Sequence, residues 1–186
     1  LLLSFYGSTL FAQEPLEIED VERVPLGNYT YQWRNISDRT PLNGKCRIIL
    51  SYSSYLIANF NKDGVLDGAY EEYKDNYLSK KMTYVKGRPK GKGYEYFYDG
   101  SLAKECFWNE QGKLDGLLVE YSRKGRTEWD YKNGVADGQQ RIFDNNGKLI
   151  TIVTYSKGMQ NGPFRIFEEG GTNMPPFIKE GNTNGW

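Results

Sequence analysis

The sequence predicts an all-β chain: an elongated, twisted antiparallel sheet of tandem β-hairpin repeats, single-layered or wound as an open solenoid. Three observations carry that prediction. A Gly-x-x-x-Gly motif recurs as GVLDG at 64–68, GRPKG at 87–91, GKLDG at 112–116, GVADG at 134–138, GMQNG at 158–162 and GNTNG at 181–185, with first glycines 23, 25, 22, 24 and 23 residues apart. Five residues after the second glycine stands Tyr73, Tyr96, Tyr121, Phe143 or Phe167, so every full copy is aromatic there. Finally, 21 glycines and 15% aromatics combine backbone freedom with side chains that favour a pleated surface, which suits short strands joined by tight turns. Hydrophobic residues make up only 38% and charged residues 26%, which argues against a thick enclosed core.

In chain order, residues 1–12 (LLLSFYGSTLFA) read as a signal peptide trimmed at its front and cut after Ala12, which predicts export to a periplasmic or extracellular space. The apolar run is too short for a membrane-spanning helix. Residues 13–40 read as a linker or a capping strand. QEPLEIEDVERVP is acidic and Pro-flanked like a tether, whereas NYTYQW at 28–33 has the composition of a strand. Residues 41–186 hold the repeats, opened by a half-copy, PLNG at 41–44. With no initiator Met and a last motif, GNTNGW, that stops mid-unit, the chain reads as truncated at both ends.

Each repeat is predicted to be strand, turn, strand, turn. The glycines Gly64, Gly68, Gly87, Gly91, Gly112, Gly116, Gly134, Gly138, Gly158, Gly162, Gly181 and Gly185 are the turn residues. Before the second glycine come Asp67, Lys90, Asp115, Asp137, Asn161 and Asn184; the Asp-Gly and Asn-Gly dipeptides predict hairpin corners there, because both residues tolerate left-handed backbone angles. A second turn is expected at 74–76, 98–100, 123–125, 145–147 and 169–171. Alternation then predicts a return strand, seen in Met82 and Tyr84, Trp129 and Tyr131, Val153 and Tyr155. The recurring rings are expected to form a ladder at about 10 Å intervals on one face. Met82, Tyr84, Phe107, Trp129, Tyr131, Val153 and Tyr155 are expected between them in one apolar layer, and Glu72, Glu95 and Glu120 on the opposite, solvated face.

On these glycine pairs, the downstream aromatic and the period near 23, residues 41–186 resemble a MORN-type repeat, in the variant form found in bacterial proteins that include YwqK-type antitoxin components. The resemblance implies hairpins laid side by side and a scaffold or binding role rather than one activity.

Composition narrows the chemistry. The chain has no histidine, which removes Ser-His-Asp and Cys-His mechanisms and His-containing zinc sites. Cys46 and Cys106 lie about two and a half repeats apart, roughly 24 Å along an extended sheet, so two unbridged thiols are expected. The glutamates recur near the repeat spacing rather than as a dyad flanking a cleft, the turns lack the carboxylates of a calcium loop, and no phosphate-cradling loop precedes a helix. No catalytic residue, metal site or cofactor is therefore assigned. Lys+Arg and Asp+Glu both number 24, so nucleic acid is not an expected partner and the net charge does not support a membrane surface. The expected function is a non-enzymatic scaffold or binding module that presents aromatic side chains to a protein partner in the cell envelope, with Tyr73, Tyr96, Tyr121, Phe143, Phe167, Trp129 and Tyr131 as candidate contacts. The alternatives are an antitoxin-like component that neutralises a toxin, and a glycan-binding or carbohydrate-active module.

Overall fold

The structure is a computed structural model that describes residues 14–168 and 177–183. The leader read at 1–12, the turn read at 169–171 and the corner at Gly185 lie outside the described residues. The chain divides into two compact units, Leu1–Pro89 and Lys90–Trp186.

The first unit contains β1 (Leu16–Glu17), a single 3-10 turn (Ile18–Asp20), β2 (Val21–Gly27), β3 (Thr30–Asn35), β4 (Gly44–Ser51), β5 (Ser54–Phe60), β6 (Leu66–Lys74), β7 (Tyr77–Val85) and β8 (Arg88–Pro89). The second contains β9 (Gly91–Tyr96), β10 (Leu102–Trp108), β11 (Gly116–Ser122), β12 (Gly125–Lys132), β13 (Val135–Asp144), β14 (Leu149–Ser156), β15 (Met159–Glu168) and β16 (Phe177–Thr183). The fold is thus almost entirely β. In each unit consecutive strands from β4 to β8, and from β9 to β16, pair antiparallel with their sequence neighbours in an open meander. Short β1 adds to the edge of β4 in parallel, through Leu16 and Ile48.

Two kinds of turn recur. Lys86-Gly87, Asn133-Gly134 and Lys157-Gly158 each place two successive residues at positive φ, the geometry of a two-residue hairpin whose twist matches the strands it joins. The longer turns are built by an Asx side chain: Asn61 Oδ1 accepts from the N–H of Asp63 and Val65, Asn109 Oδ1 from Gln111 and Lys113, and Asp144 Oδ1 from Asn146 and Lys148. The corners expected at the Asp-Gly and Asn-Gly dipeptides are therefore displaced. Asp67-Gly68, Asp137-Gly138 and Asn161-Gly162 lie inside β6, β13 and β15, where three residues oppose one on the preceding strand, a β-bulge. The bulge glycines have φ of +120°, +133° and +121°, and a Cβ on them would meet the side chain of the single opposing residue, Asn59, Asp130 or Thr154, at 2.9, 2.6 and 3.2 Å.

The first unit owes its core to β2 and β3, the segment whose sequence fits either a tether or a capping strand. They form a hairpin around Asn28-Tyr29, both at positive φ, and lie over one face of the sheet. Val21 and Trp33 from the hairpin pack with Leu42, Cys46, Ile48, Leu56, Ala58 and Phe60; Trp33 is 8% exposed and its ring centroid lies 5.7 Å from that of Phe60. Full burial of each large apolar side chain contributes about 1.5–3 kcal/mol. The strand alternation is the cause: Cys46 and Ile48 in β4 and Leu56, Ala58 and Phe60 in β5 point to the covered face, with Arg47, Tyr55 and Ile57 between them on the other. Neither cysteine forms a disulfide; Cys46 is buried here and Cys106 is buried in the second unit.

The hairpin is held by its backbone. Trp33 N–H donates to Gly64 O at 2.7 Å, Leu42 N–H donates to Trp33 O at 2.9 Å, and Gln32 Nε2 donates to Asp63 O at 2.9 Å. Approach this close is possible because Gly64 has no side chain, since a Cβ there would sit 2.4 Å from Trp33 O. Gly44 has the same φ of +75° but faces open space. Both positions carry the left-handed penalty of about 1–2 kcal/mol for a side chain, and only Gly64 adds a backbone collision. We predict that Gly64→Ala lowers the unfolding free energy read from urea titration by more than about 2 kcal/mol, well beyond the loss caused by Gly44→Ala; equal losses would show that the hairpin does not rest on this turn.

Candidate functional site

In the second unit, cross-strand registers place the recurring rings on one face. Tyr94 and Tyr96 stack at 6.4 Å on β9; Tyr94 opposes Glu105, Glu105 opposes Val119, and Tyr121 follows two residues after Val119. Tyr121 opposes Arg126, which opposes Phe143, and from Arg141 the row passes through Ile152 to Arg165 and so to Phe167 two residues on. Tyr96, Tyr121, Phe143 and Phe167 therefore share a face, as the period predicts.

Trp129 and Tyr131 do not. Their partners are Leu118 and Gly116, on the other face, together with Cys106, Val153 and Tyr155. There the Trp129 and Tyr155 rings lie 5.4 Å apart, across β13 where Gly138 adds no side chain. Phe107, expected with them, is on the ring face and 45% exposed. The single mixed layer of the sequence reading is thus two layers, one on each side of the sheet.

A one-residue bulge explains part of the discrepancy. Tyr96 opposes Leu102 but Glu95 opposes Lys104, leaving Ala103 as the extra residue; Phe143 opposes Leu149 but Ile142 opposes Thr151, leaving Ile150. Beyond each bulge the return strand is turned over relative to a regular hairpin. In the first unit Ser79 plays the same part next to Tyr73, its hydroxyl donating to Glu72 O at 2.9 Å. Tyr73 accordingly points away from Met82 and Tyr84. It stacks on Tyr55 at 4.6 Å, and Arg47 lies 4.1 Å over the other ring of that pair.

The ring face of the second unit is also charged. Arg126 Nε donates to Glu128 Oε1 at 2.8 Å, Arg141 Nε donates to Glu128 Oε2 at 3.1 Å, and Arg141 Nη2 donates to Asp130 Oδ1 at 2.7 Å. The Arg126 guanidinium rests 3.8 Å from the centre of the Phe143 ring. On the opposite face Lys104 pairs with Glu120 at 3.0 Å, so that glutamate is cross-linked rather than merely solvated.

The first unit holds a concave site that the sequence reading missed. The hairpin and the sheet enclose a cleft of about 510 Å³. Arg23, Tyr29, Tyr31 and Trp33 line it from the hairpin, and Leu56, Leu66, Tyr70, Glu72 and Tyr84 line it from the sheet. Tyr70 and Tyr84 meet edge to face at 5.5 Å, and the Arg23 guanidinium lies 5.8 Å over Tyr31 and 5.3 Å over Trp33. Glu72, expected in solvent, is here with its side chain 23% exposed and accepts from the Tyr70 hydroxyl at 3.2 Å; Lys74 Nζ is 3.8 Å away. Burial, and then the Glu72 charge, push the Tyr70 phenol well above the ordinary range, so it remains a proton donor. The available signal was the i, i+2 spacing of Val21 with Arg23 and of Tyr31 with Trp33 about the Asn28-Tyr29 turn, which puts all four on one face of a hairpin outside the repeat.

Compared with protein-family models and with curated proteins, the chain matches none. Among solved structures it is similar to TarM, and to an S. aureus TarM variant crystallised with Fondaparinux, alpha-GlcNAc-glycerol and UDP, each at 14% identity and a TM-score of 0.25. The match covers 71% of this chain and 21% of either TarM chain, an overlap that carries no argument. Among the described residues no group of three or more Cys, Asp or Glu side chains is placed to hold a metal ion, and no helix is long and apolar enough to cross a membrane.

The Asp130 carboxyl is held below its ordinary value of 3.8, first by the hydrogen bonds from Arg141, against the opposing effect of burial, and further by the Gln139 N–H. A depressed folded-state value means that the unfolded chain binds the proton more readily. The stabilisation is therefore complete above the unfolded value and lost as pH falls through the folded one. Between about pH 7 and about pH 3 the parent chain should lose more stability than Asp130→Asn, read as the difference in their urea midpoints at each pH. Parallel losses would mean that the Arg141 pair adds nothing to folding.

Proposed function

We propose that the chain is a non-enzymatic binding module of the cell envelope and that the ring face of its second unit docks a protein partner. The observation that carries this reading is the row Tyr96, Tyr121, Phe143 and Phe167 on one face, interleaved with Arg126, Glu128, Asp130 and Arg141. Aromatic side chains and arginines are the types enriched at the centres of protein interfaces and among the residues that dominate their binding energy. The arginines are already oriented by carboxylates and by the Phe143 ring, so little side-chain freedom is lost when a partner covers them. Equal numbers of cations and anions favour a surface of mixed charge over nucleic acid or anionic lipid. Residues 1–12, read as an export signal, support an envelope location, and the resemblance to MORN-type repeats supports a scaffold role.

Capture from an envelope fraction by the parent chain, compared with a Tyr96→Ala/Tyr121→Ala double variant, identifies the partner as the protein lost from the second. The two purified proteins are then titrated directly. The expected weakening is about 30-fold or more, the scale of two truncated anchor residues, with the urea midpoint of the variant still that of a folded chain. Undiminished affinity in the folded variant would remove the ring face from the proposal, and a mature chain confined to the cytoplasm would remove the envelope.

A further inference from the structure

The geometry points to the cleft between hairpin and sheet in the first unit as a binding site for a neutral saccharide. This goes beyond the protein-docking face, with which it shares no residue.

The cleft combines three properties. Its walls are ring faces, from Tyr31 and Trp33 on the hairpin and Tyr70 and Tyr84 on the sheet. Aromatic faces bind the CH-rich faces of sugar rings as they bind other apolar surfaces. Its volume, about 510 Å³, lies within the range of small-molecule sites, about 300–1,000 Å³, and admits a short oligosaccharide. Its rim extends into solvent through Tyr29, which is 96% exposed.

The polar groups select among the ligands that such walls admit. Arg23 is held by ring faces, and its N–H groups meet no acceptor among the described residues. The Arg23 side chain is exposed, so these are hydrated donors lying over the rings of the cleft and open to a ligand that enters it. On the sheet side Glu72 is an acceptor, with the Tyr70 hydroxyl already turned towards it. A cation entering the cleft meets Arg23, and an anion meets Glu72. A purely apolar guest desolvates both without returning a hydrogen bond, which costs about 1–3 kcal/mol for each group left unpaired. A neutral polyhydroxylated ring avoids all three penalties, because its hydroxyls accept from the guanidinium and donate to the carboxylate while its apolar face covers an aromatic ring. The cleft is preformed by the backbone bonds that seat the hairpin on Gly64 and Leu42, so binding requires little ordering.

The test titrates the full chain, by calorimetry and by saturation-transfer NMR, with cellotetraose, maltotetraose and chitotetraose. A sulfated heparin tetrasaccharide and choline serve as the anionic and cationic comparators. Binding of at least one neutral tetrasaccharide is expected, weakened about tenfold or more by Tyr31→Ala and by Glu72→Gln, and left unchanged by Tyr96→Ala/Tyr121→Ala. Tyr31 is exposed at the rim, so its loss leaves the core intact, and Glu72→Gln keeps the shape of the side chain; a urea midpoint near that of the parent confirms folding in each. No binding by any neutral tetrasaccharide at about 10 mM, binding that Tyr31→Ala and Glu72→Gln leave untouched, or preference for either charged comparator would overturn the assignment. Because the ring-face variant reads the other surface, failure here leaves the protein-docking proposal standing, and the reverse also holds.

Discussion

The contact that shapes three of the repeats is between a glycine and the single side chain that opposes it across a bulge, whereas the equivalent Gly91 and Gly116 face open space. Gly68 lies against Asn59, Gly138 against Asp130 and Gly162 against Thr154, each with φ between +120° and +133°. At such angles an L side chain is strained, and in each case a Cβ would also press on the neighbour. The polar residue ahead of the glycine belongs to the same feature. Asp67, Asp137 and Asn161 stand in a strand that must accommodate three residues where its neighbour supplies one. The twist that a bulge adds lets successive hairpins follow one another without a side chain in the way.

From this common frame the two units satisfy their apolar surface differently. In the first, a hairpin from ahead of the repeats covers one face and supplies Trp33 and Val21 to a true core. Its seat is again glycine: Gly64 admits the Trp33 carbonyl, and Gly87 lies where a Cβ would stand 2.4 Å from Thr30 Cγ2. In the second, the described residues provide no such cover. The ring face is tied instead by cross-strand ion pairs and by a guanidinium on Phe143, the opposite face by Trp129, Tyr155 and buried Leu118. Surface ion pairs contribute little singly, and a chained set such as Arg126, Glu128, Arg141 and Asp130 shares the entropic cost of its ordering. Such a face is organised by the mutual orientation of half-buried rings and charges rather than by a covering layer among the described residues.

What the sequence made legible follows from what repeats. The period, the strand succession and the common face of Tyr96, Tyr121, Phe143 and Phe167 were all readable, because each is fixed by spacing alone. The corner was misread because Asp-Gly serves a bulge as well as a turn, both requiring left-handed angles. Met82 and Tyr84 were assigned to the wrong face relative to Tyr73 because one extra residue, Ser79, intervenes, and nothing in the alternation announces it. The cleft was illegible for a different reason. Arg23, Tyr31 and Trp33 meet Tyr70, Glu72 and Tyr84 only through a long-range docking of the hairpin, and no local pattern encodes that contact.

The two bulges have opposite effects on side-chain parity, and together they divide the chemistry of the sheet. At the glycine, three residues oppose one, a difference of two, so the strand resumes with its faces unchanged. Next to the recurring aromatic, two oppose one at Ser79, Ala103 and Ile150, a difference of one, and everything beyond on the return strand changes sides. A ring position is thereby separated from the apolar residues of its own return strand. Rings such as Tyr96 and Phe143 keep company with the charged residues of neighbouring strands, while Cys106 and Val153 go to the other face. Without the single-residue bulge, Met82 would join Tyr73, and the covered face of the first unit would lose its partner for Tyr70. One inserted residue in the hairpins of Tyr73, Tyr96 and Phe143, and none in the continuous register of the Tyr121 hairpin, is thus enough to separate these rings from the apolar residues of their return strands and to leave them on a half-buried face that is both aromatic and charged.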